Sequence, residues 1–234
     1  MNKTILLCAV TLLFGCVELQ KVSDTVVIQP KGLTNLQIGN GLKEALDNGV
    51  KKQVSKLTST DGFYGNAAVK IKLPSGLVRL AGRLNSIGMS GLTDKGVELL
   101  NRAAEDAVKE SVPIFAHAIS TMSFADAKSI LMGNDSSATT YLYKKTNDSL
   151  YQKFYPQVEK SLAKVGADEA WNVMITKYNR ISFTSKANPD LKDYVTRKAL
   201  IGVFKMITVE EKKIRGNLNS RTTDLLKQVF ALQD

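Results

Sequence analysis

The chain has 234 residues, 44% of them hydrophobic, and 32 Lys and Arg against 22 Asp and Glu give a formal net charge of +10. That is enough length for one domain with a sizeable core, and the basic excess suits nucleic acid, anionic lipid headgroups or an acidic polymer. Two cysteines and one histidine leave little material for disulfides or a zinc site.

Lys3 gives the N-terminus a positive start, and Thr4 to Phe14 (TILLCAVTLLF) is an apolar run of eleven residues. Eleven residues cannot span a bilayer as a helix but match the apolar region of a signal peptide. The run ends in Leu13-Phe14-Gly15-Cys16, which resembles a lipobox: an aliphatic residue three before the cysteine, a small one just before it, then the thiol that takes diacylglycerol. Phe14 is bulkier than the residue usual at its place. On this reading residues 1–15 are a signal peptide, Cys16 is the lipidated first residue of the mature chain, and residues 16–38 are a tether containing Pro30 and Gly32.

Cys8 leaves with the leader and Cys16 is consumed by lipid, so no thiol remains for catalysis, metal binding or a disulfide. Two or three acyl chains, at about 0.8 kcal/mol per buried methylene, would hold such a protein on its membrane almost permanently. The lipoprotein resemblance also implies that Val17, where Asp would retain the protein at the inner membrane, sends it to the periplasmic face of the outer membrane of a Gram-negative cell. Loss of residues 1–15 removes only Lys3 among the charges, which leaves 219 residues and +9. The lysines are dispersed rather than interleaved with stacking aromatics, and export separates the chain from nucleic acid. Anionic headgroups, an envelope polymer or another envelope protein are the expected partners.

Residues 39–234 are expected to form a helical domain. Leu42, Leu46, Val50, Val54 and Leu57 recur every three or four residues and predict a helix over about 40–58. A turn-rich stretch at 60–66 follows, and then Val69, Ile71 and Leu73 alternate with Lys70 and Lys72, the period of a strand in a small hairpin near 63–73. Pro74 opens a helix stopped by Gly88, and Thr93 caps another that reaches about Ser111, ahead of Pro113. Ser123 and Asp126 have the spacing of a capped helix that ends at Gly133. Further helices are predicted over 137–153, 156–165, 168–179, 190–207, 208–215 and 220–231. Ala199 to Ile207 (ALIGVFKMI) is apolar on every side except at Lys205, as suits a helix in the middle of a bundle. The predicted fold is all-α: a single multi-helix bundle with at most a minor β-hairpin.

Little of the sequence points to a named chemistry. His117 stands alone among Phe115, Ile119 and Met122 and reads as structural. No phosphate loop, Gly-x-Gly-x-x-Gly or Gly-x-Ser-x-Gly occurs, so no cofactor, metal or catalytic residue is assigned. On a helical projection from Val97, Asn101 lies at the edge of the apolar face and Glu105 on its shoulder, while Glu98, Arg102 and Asp106 form an outward ladder. Half-buried Asn101 and Glu105 need partners. Thr208-Val209-Glu210-Glu211 matches a capping box with Glu211 at the third position, and Glu211 also stands four before Arg215, which leaves Glu210 the freer of the two.

Taken in order, Gly41-Leu42-Lys43-Glu44-Ala45-Leu46, Asp61-Gly62-Phe63, Lys70-Ile71-Lys72-Leu73-Pro74, Asn101-Arg102-Ala103-Ala104-Glu105, Ala138-Thr139-Thr140-Tyr141 with Lys145-Thr146, Glu210-Glu211 with Ile214-Arg215, and Arg221-Thr222 with Leu225-Leu226 and Val229-Phe230 form a recognisable series. Over residues 39–231 the chain resembles the bacterial lipoprotein or secreted family catalogued as domain of unknown function 4197. Ile201 departs from its pattern, where an acidic residue before Gly202 is common, and Leu218 stands where a proline is common. The resemblance implies helical structure and an envelope location and supplies no reaction.

The candidate polar or binding residues are therefore Asn101, Glu105, Thr140, Lys145, Glu210 and Arg215. Three functions compete. The leading one is a non-catalytic, lipid-tethered binding or structural module of the envelope. The second is a carrier of an apolar or amphipathic small molecule, gated by the loop at 61–66. The third is a hydrolase or lyase using Glu105 and Glu210, which would have to meet in one cleft. Glu105 is expected to find a basic or hydroxyl partner from a distant segment, with Lys145 or Arg215 favoured.

Overall fold

A computed structural model describes residues 33–73, 90–164 and 190–232, together with 171, 172, 176, 179, 180 and 186. The leader, Cys16, the predicted helix from Pro74 to Gly88 and most of the one at 168–179 lie outside the described residues. Among the described residues every regular element is helical.

Helix α1, Asn35–Thr58, begins inside the stretch read as a tether. Thr34 closes a capping box with Gln37: its hydroxyl accepts from the Gln37 amide at 3.2 Å, and the Gln37 carboxamide oxygen accepts from the Thr34 amide at 2.9 Å. The apolar stripe from Leu42 to Leu57 is buried as its spacing requires. A Cβ on Gly41 would stand 2.7 Å from Val229 Cγ2, so only glycine lets α1 approach the C-terminal helix this closely.

Helix α2, Ser90–Val108, starts three residues before the predicted cap. Its continuation to Ser111 does not occur, because the Ser111 hydroxyl donates to the Val108 carbonyl at 2.7 Å and a new helix, α3, Ser111–Ser120, begins there. Helix α4, Phe124–Leu131, carries the expected Ser123–Asp126 capping box. Helix α5, Ser137–Ala163, runs unbroken through Pro156, so the two predicted helices are one. Proline removes one amide donor, while Leu142, Leu150, Phe154, Val158 and Leu162 keep one buried stripe continuous across it.

Helix α6, Leu191–Gly216, also runs through its predicted break. The Thr208 hydroxyl donates back to the Phe204 carbonyl at 2.9 Å. This is an interior helical contact, and it overturns the capping box at Thr208–Glu211. Nor is the 199–207 stretch buried all round: Ile201 is 59% exposed and Lys205 lies outside with it, whereas Leu200, Val203, Phe204 and Ile207 are core. A single 3-10 turn, Leu218–Ser220, leads to α7, Asp224–Phe230, whose cap Thr223 accepts from the Leu226 amide at 3.2 Å.

Helix α6 packs against α5, α2 and α1, and α5 also lies along α2 and α3. Phe115 and Phe204 meet edge to face at 5.9 Å in the middle. No described helix is long and apolar enough to cross a membrane. The predicted hairpin is absent among the described residues: Val69 and Ile71 are buried and Lys72 is exposed, as period two requires, yet the segment has no strand beside it.

Candidate functional site

What replaces that strand is the side chain of Asn101, fully buried on α2. Its oxygen accepts from the Ile71 amide at 2.8 Å, and its nitrogen donates to the Ile71 carbonyl at 2.9 Å and to the Val97 carbonyl at 2.7 Å. The carboxamide thus gives one residue the donor and acceptor pairing that a sheet neighbour would provide.

One turn further along α2, Glu105 is 5% exposed. One carboxylate oxygen accepts from the Phe63 and Tyr64 amides at 3.0 and 3.3 Å, and the other accepts from Arg102 at 2.8 Å. Glu105 does reach a distant segment, but through the backbone amides of 63–64 rather than the expected basic or hydroxyl group, and its basic partner is Arg102 of its own helix, not Lys145 or Arg215. Arg102 also donates to Asp61 at 2.8 Å and lies 3.6 Å from Glu98. The hydrogen bond to Glu105, with Asp61 adding to it, holds the guanidinium proton more tightly than in an ordinary arginine. The predicted ladder is therefore broken at Asp106, which pairs with Lys109 at 2.8 Å instead. Asp61 has a φ of 63°, the left-handed conformation that short polar side chains tolerate, and it turns the chain so that the next amides face Glu105.

A second constellation sits on the last turns of α6. Glu211 accepts from the Ala138 and Thr139 amides and from the Thr139 hydroxyl, each at 2.8 Å. It caps the N-terminus of α5 from another helix, where a negative charge is favoured. Arg215 donates to Glu211 at 3.1 Å and to the Ile130 and Leu131 carbonyls at 2.7 and 3.2 Å, which serves the C-terminus of α4. Arg221, 2% exposed, donates to the Ile214 and Arg215 carbonyls at 3.1 and 2.9 Å at the end of α6.

Glu210, read from the sequence as the freer carboxylate, is 4% exposed. It accepts from Lys52 and, at 2.6 Å, from Gln53 on α1. Gln53 Oε1 is buried without a hydrogen-bond partner among the described residues. A cavity of about 20 Å³ lies between α1 and α6 with Glu210, Glu211 and Arg215 in its wall, room for one water.

Thr140 and Lys145 are exposed on the far side of α5. They line an open groove of about 430 Å³ with Asp126, Asn134, Tyr141 and Lys144. The Lys145 ammonium stands 5.8 Å from the centre of the Tyr141 ring. Hydrogen bonds from the Ser123 hydroxyl and amide, and the charge of Lys145, hold the Asp126 carboxyl below the usual carboxylate range. Burial, followed by the charge of Asp126, pushes the Tyr141 phenol up.

The six candidate residues thus occupy three places. Asn101 and Glu105 grip residues 61–73. Glu210 binds α1. Arg215, through the end of α4, braces the wall of the groove that Thr140 and Lys145 line. Among the described residues Glu105 and Glu210 share no hydrogen-bond or ion-pair partner. Asp61, Lys52, Gln53, Glu211 and Arg221 belong with these sites and were not among the candidates. Gln53 had a signal: it falls three after Val50 and four before Leu57, on the stripe that α1 buries. His117 is exposed on α3, and among the described residues no three His, Cys, Asp or Glu are grouped to hold a metal ion.

The model of the family described as "Protein of unknown function (DUF4197)" matches residues 32–231, and the chain belongs to that family. No curated protein and no solved structure is significantly similar to it.

Proposed function

From Leu13-Phe14-Gly15-Cys16 and the open groove on α5 we propose that the protein is a lipid-anchored envelope component, held through Cys16, that acts as a non-catalytic binding module with an anionic envelope polymer as its partner. The observation that carries this reading is the contrast between engaged and open polar groups. Glu105, Glu210 and Glu211 are each closed by amides or cations from other segments, which commits them to holding helices rather than to moving protons. Thr140, Lys144 and Lys145 instead stand on an open groove with a half-buried tyrosine. Hydroxyls, an amide and ammonium groups at one surface suit a polymer that offers hydroxyls and carboxylates.

The test has two arms. Cys16→Ser should move the protein from the membrane to the soluble fraction or leave an unprocessed precursor, and fractionation with lipid labelling like that of wild type defeats the anchor. In co-sedimentation with purified peptidoglycan sacculi, Lys144→Glu with Lys145→Glu should weaken binding about tenfold or more; sacculi that bind both proteins equally defeat the groove.

A further inference from the structure

We infer that a second face, formed by Lys198, Ile201 and Lys205 of α6 with Lys70 and Lys72 beside them, seats the protein on the phosphate headgroups of an anionic lipid leaflet. This goes beyond the proposed anchoring and polymer binding, because it requires no acyl chain and lies on different residues.

Lys198 and Lys205 are seven apart on α6 with Ile201 between them, so the three share one side of the helix. All three are exposed, Ile201 at 59%, while Leu200 and Gly202 on either side of Ile201 are buried. Across from them run Lys70 and Lys72, placed there by the Asn101 and Glu105 grip on residues 61–73. A Cβ on Gly202 would lie 2.6 Å from Phe63 Cε1, so glycine is what lets α6 close on that segment. The result is an open groove of about 340 Å³ between α6 and residues 68–73.

Three of the four ammonium groups are steadied by neutral partners. Lys70 lies 3.8 Å from the Tyr64 ring centre, Lys205 donates to the Ala68 carbonyl at 2.8 Å, and Lys198 lies 5.6 Å from the Tyr194 ring centre. No acidic side chain lines the groove, and among the described residues none of the four pairs with a carboxylate. The α4–α5 groove, by contrast, contains Asp126.

One exposed isoleucine is ordinary. An exposed isoleucine flanked by two lysines on its helix, with two more across the groove, has the composition of an interfacial contact, with the apolar group at the acyl boundary and the cations on phosphates. The groove is too open to enclose a free anion, and a free anion would leave Ile201 without a role.

The test uses the full chain carrying Cys16→Ser, floated with vesicles of phosphatidylglycerol and phosphatidylcholine or of phosphatidylcholine alone. Each lysine near such a surface is worth about fivefold in binding. Lys72→Glu with Lys198→Glu should therefore lower affinity for the anionic vesicles roughly 25-fold or more, and Ile201→Glu about fivefold or more. The control Lys144→Glu with Lys145→Glu changes net charge equally and should leave vesicle binding near that of the parent. Comparison within one background cancels whatever the apolar N-terminal run contributes, and unchanged melting temperatures confirm folding.

Raising salt from about 0.1 M to about 1 M, which shortens the screening length from about 10 Å to about 3 Å, should release the parent. Equal binding to neutral vesicles, an equal loss in the control pair, or displacement by millimolar inorganic phosphate overturns the proposal. So does a parent that binds sacculi and ignores both kinds of vesicle, an outcome that leaves the polymer reading standing.

Discussion

Two clasps in this molecule are built alike and differ in what they hold. In each, a glutamate on a helix is bonded by an arginine of the same helix, Arg102 three before Glu105 and Arg215 four after Glu211. In each, the carboxylate collects two consecutive backbone amides from elsewhere, Phe63 and Tyr64 in one and Ala138 and Thr139 in the other. Yet Glu105 holds an irregular segment made of successive turns, whereas Glu211 starts a 27-residue helix. The arginines differ as well: the Arg215 side chain is 7% exposed and the Arg102 side chain 32%. The same bonds should therefore be worth different amounts, because water can replace what Arg102 loses and cannot reach Arg215 as easily.

Removal of Glu211 sharpens that comparison most. Glu211→Ala leaves a buried guanidinium short of its carboxylate and two helix-start amides without an acceptor, so we expect a loss of about 4 kcal/mol and a fall in melting temperature of about 10 °C. Thermal unfolding measures it directly, and a fall of under a degree would break the clasp interpretation. Glu105→Ala should cost less, about 2 to 3 kcal/mol, since two amides lose a partner while Arg102 keeps Asp61 and solvent. Its damage should be local: proteolysis or hydrogen exchange should open first around 61–73. Coupling to Asn101→Ala should be at least about 0.5 kcal/mol, because both side chains hold one segment. Strict additivity in that double-mutant cycle would separate the two grips.

The same comparison shows what a sequence exposes and what it hides. The apolar stripe of α1, the Ser123 box and the burial of Asn101 and Glu105 were all legible, because each follows from spacing within one helix. Glu211 was misread because Thr208 and Arg215 offered it local partners, and only tertiary packing shows that Thr208 lies in mid-helix and that α5 begins against Glu211. The supposed hairpin has a similar cause. Alternation at 69–73 reports burial on one side faithfully, but it cannot say whether the neighbour is a strand or the amide of Asn101. Pro156 and Thr208 marked false breaks because continuous buried faces outweigh one missing donor and one β-branched side chain. The family series carried membership and the apolar spacing carried the helical class, while the division of the candidates among three places depended on which helices pack together.

Against the two guanidinium clasps stands a third contact that uses neutral donors, and it gives the smallest expected effect. On α5, Tyr151 donates to Asp193 at 2.6 Å and Tyr155 donates to Asp190 at 3.0 Å, so two phenols one turn apart hold the two carboxylates that open α6. Burial, then the hydrogen bond and the charge of Asp193, pushes the Tyr151 phenol up to about 12 from its ordinary 10, with Arg197 opposing. A raised folded-state pKa means that the folded protein holds this proton more tightly than the unfolded chain does. The contribution is therefore complete below pH 10 and is lost as pH rises from 10 towards 12. Near neutral pH, Tyr151→Phe removes one hydrogen bond from a carboxylate that Arg197 still holds at 2.8 Å, and the loss should stay under about 1 kcal/mol. The difference should lie in the alkaline limb, where the variant loses stability less steeply than the parent over pH 10 to 12. Some steepness should remain, because Tyr155 and Tyr194 are also pushed up, mainly by burial. Denaturant midpoints measured at intervals across that range decide the point: parallel curves for parent and variant would show that the Tyr151–Asp193 contact has no part in alkaline unfolding.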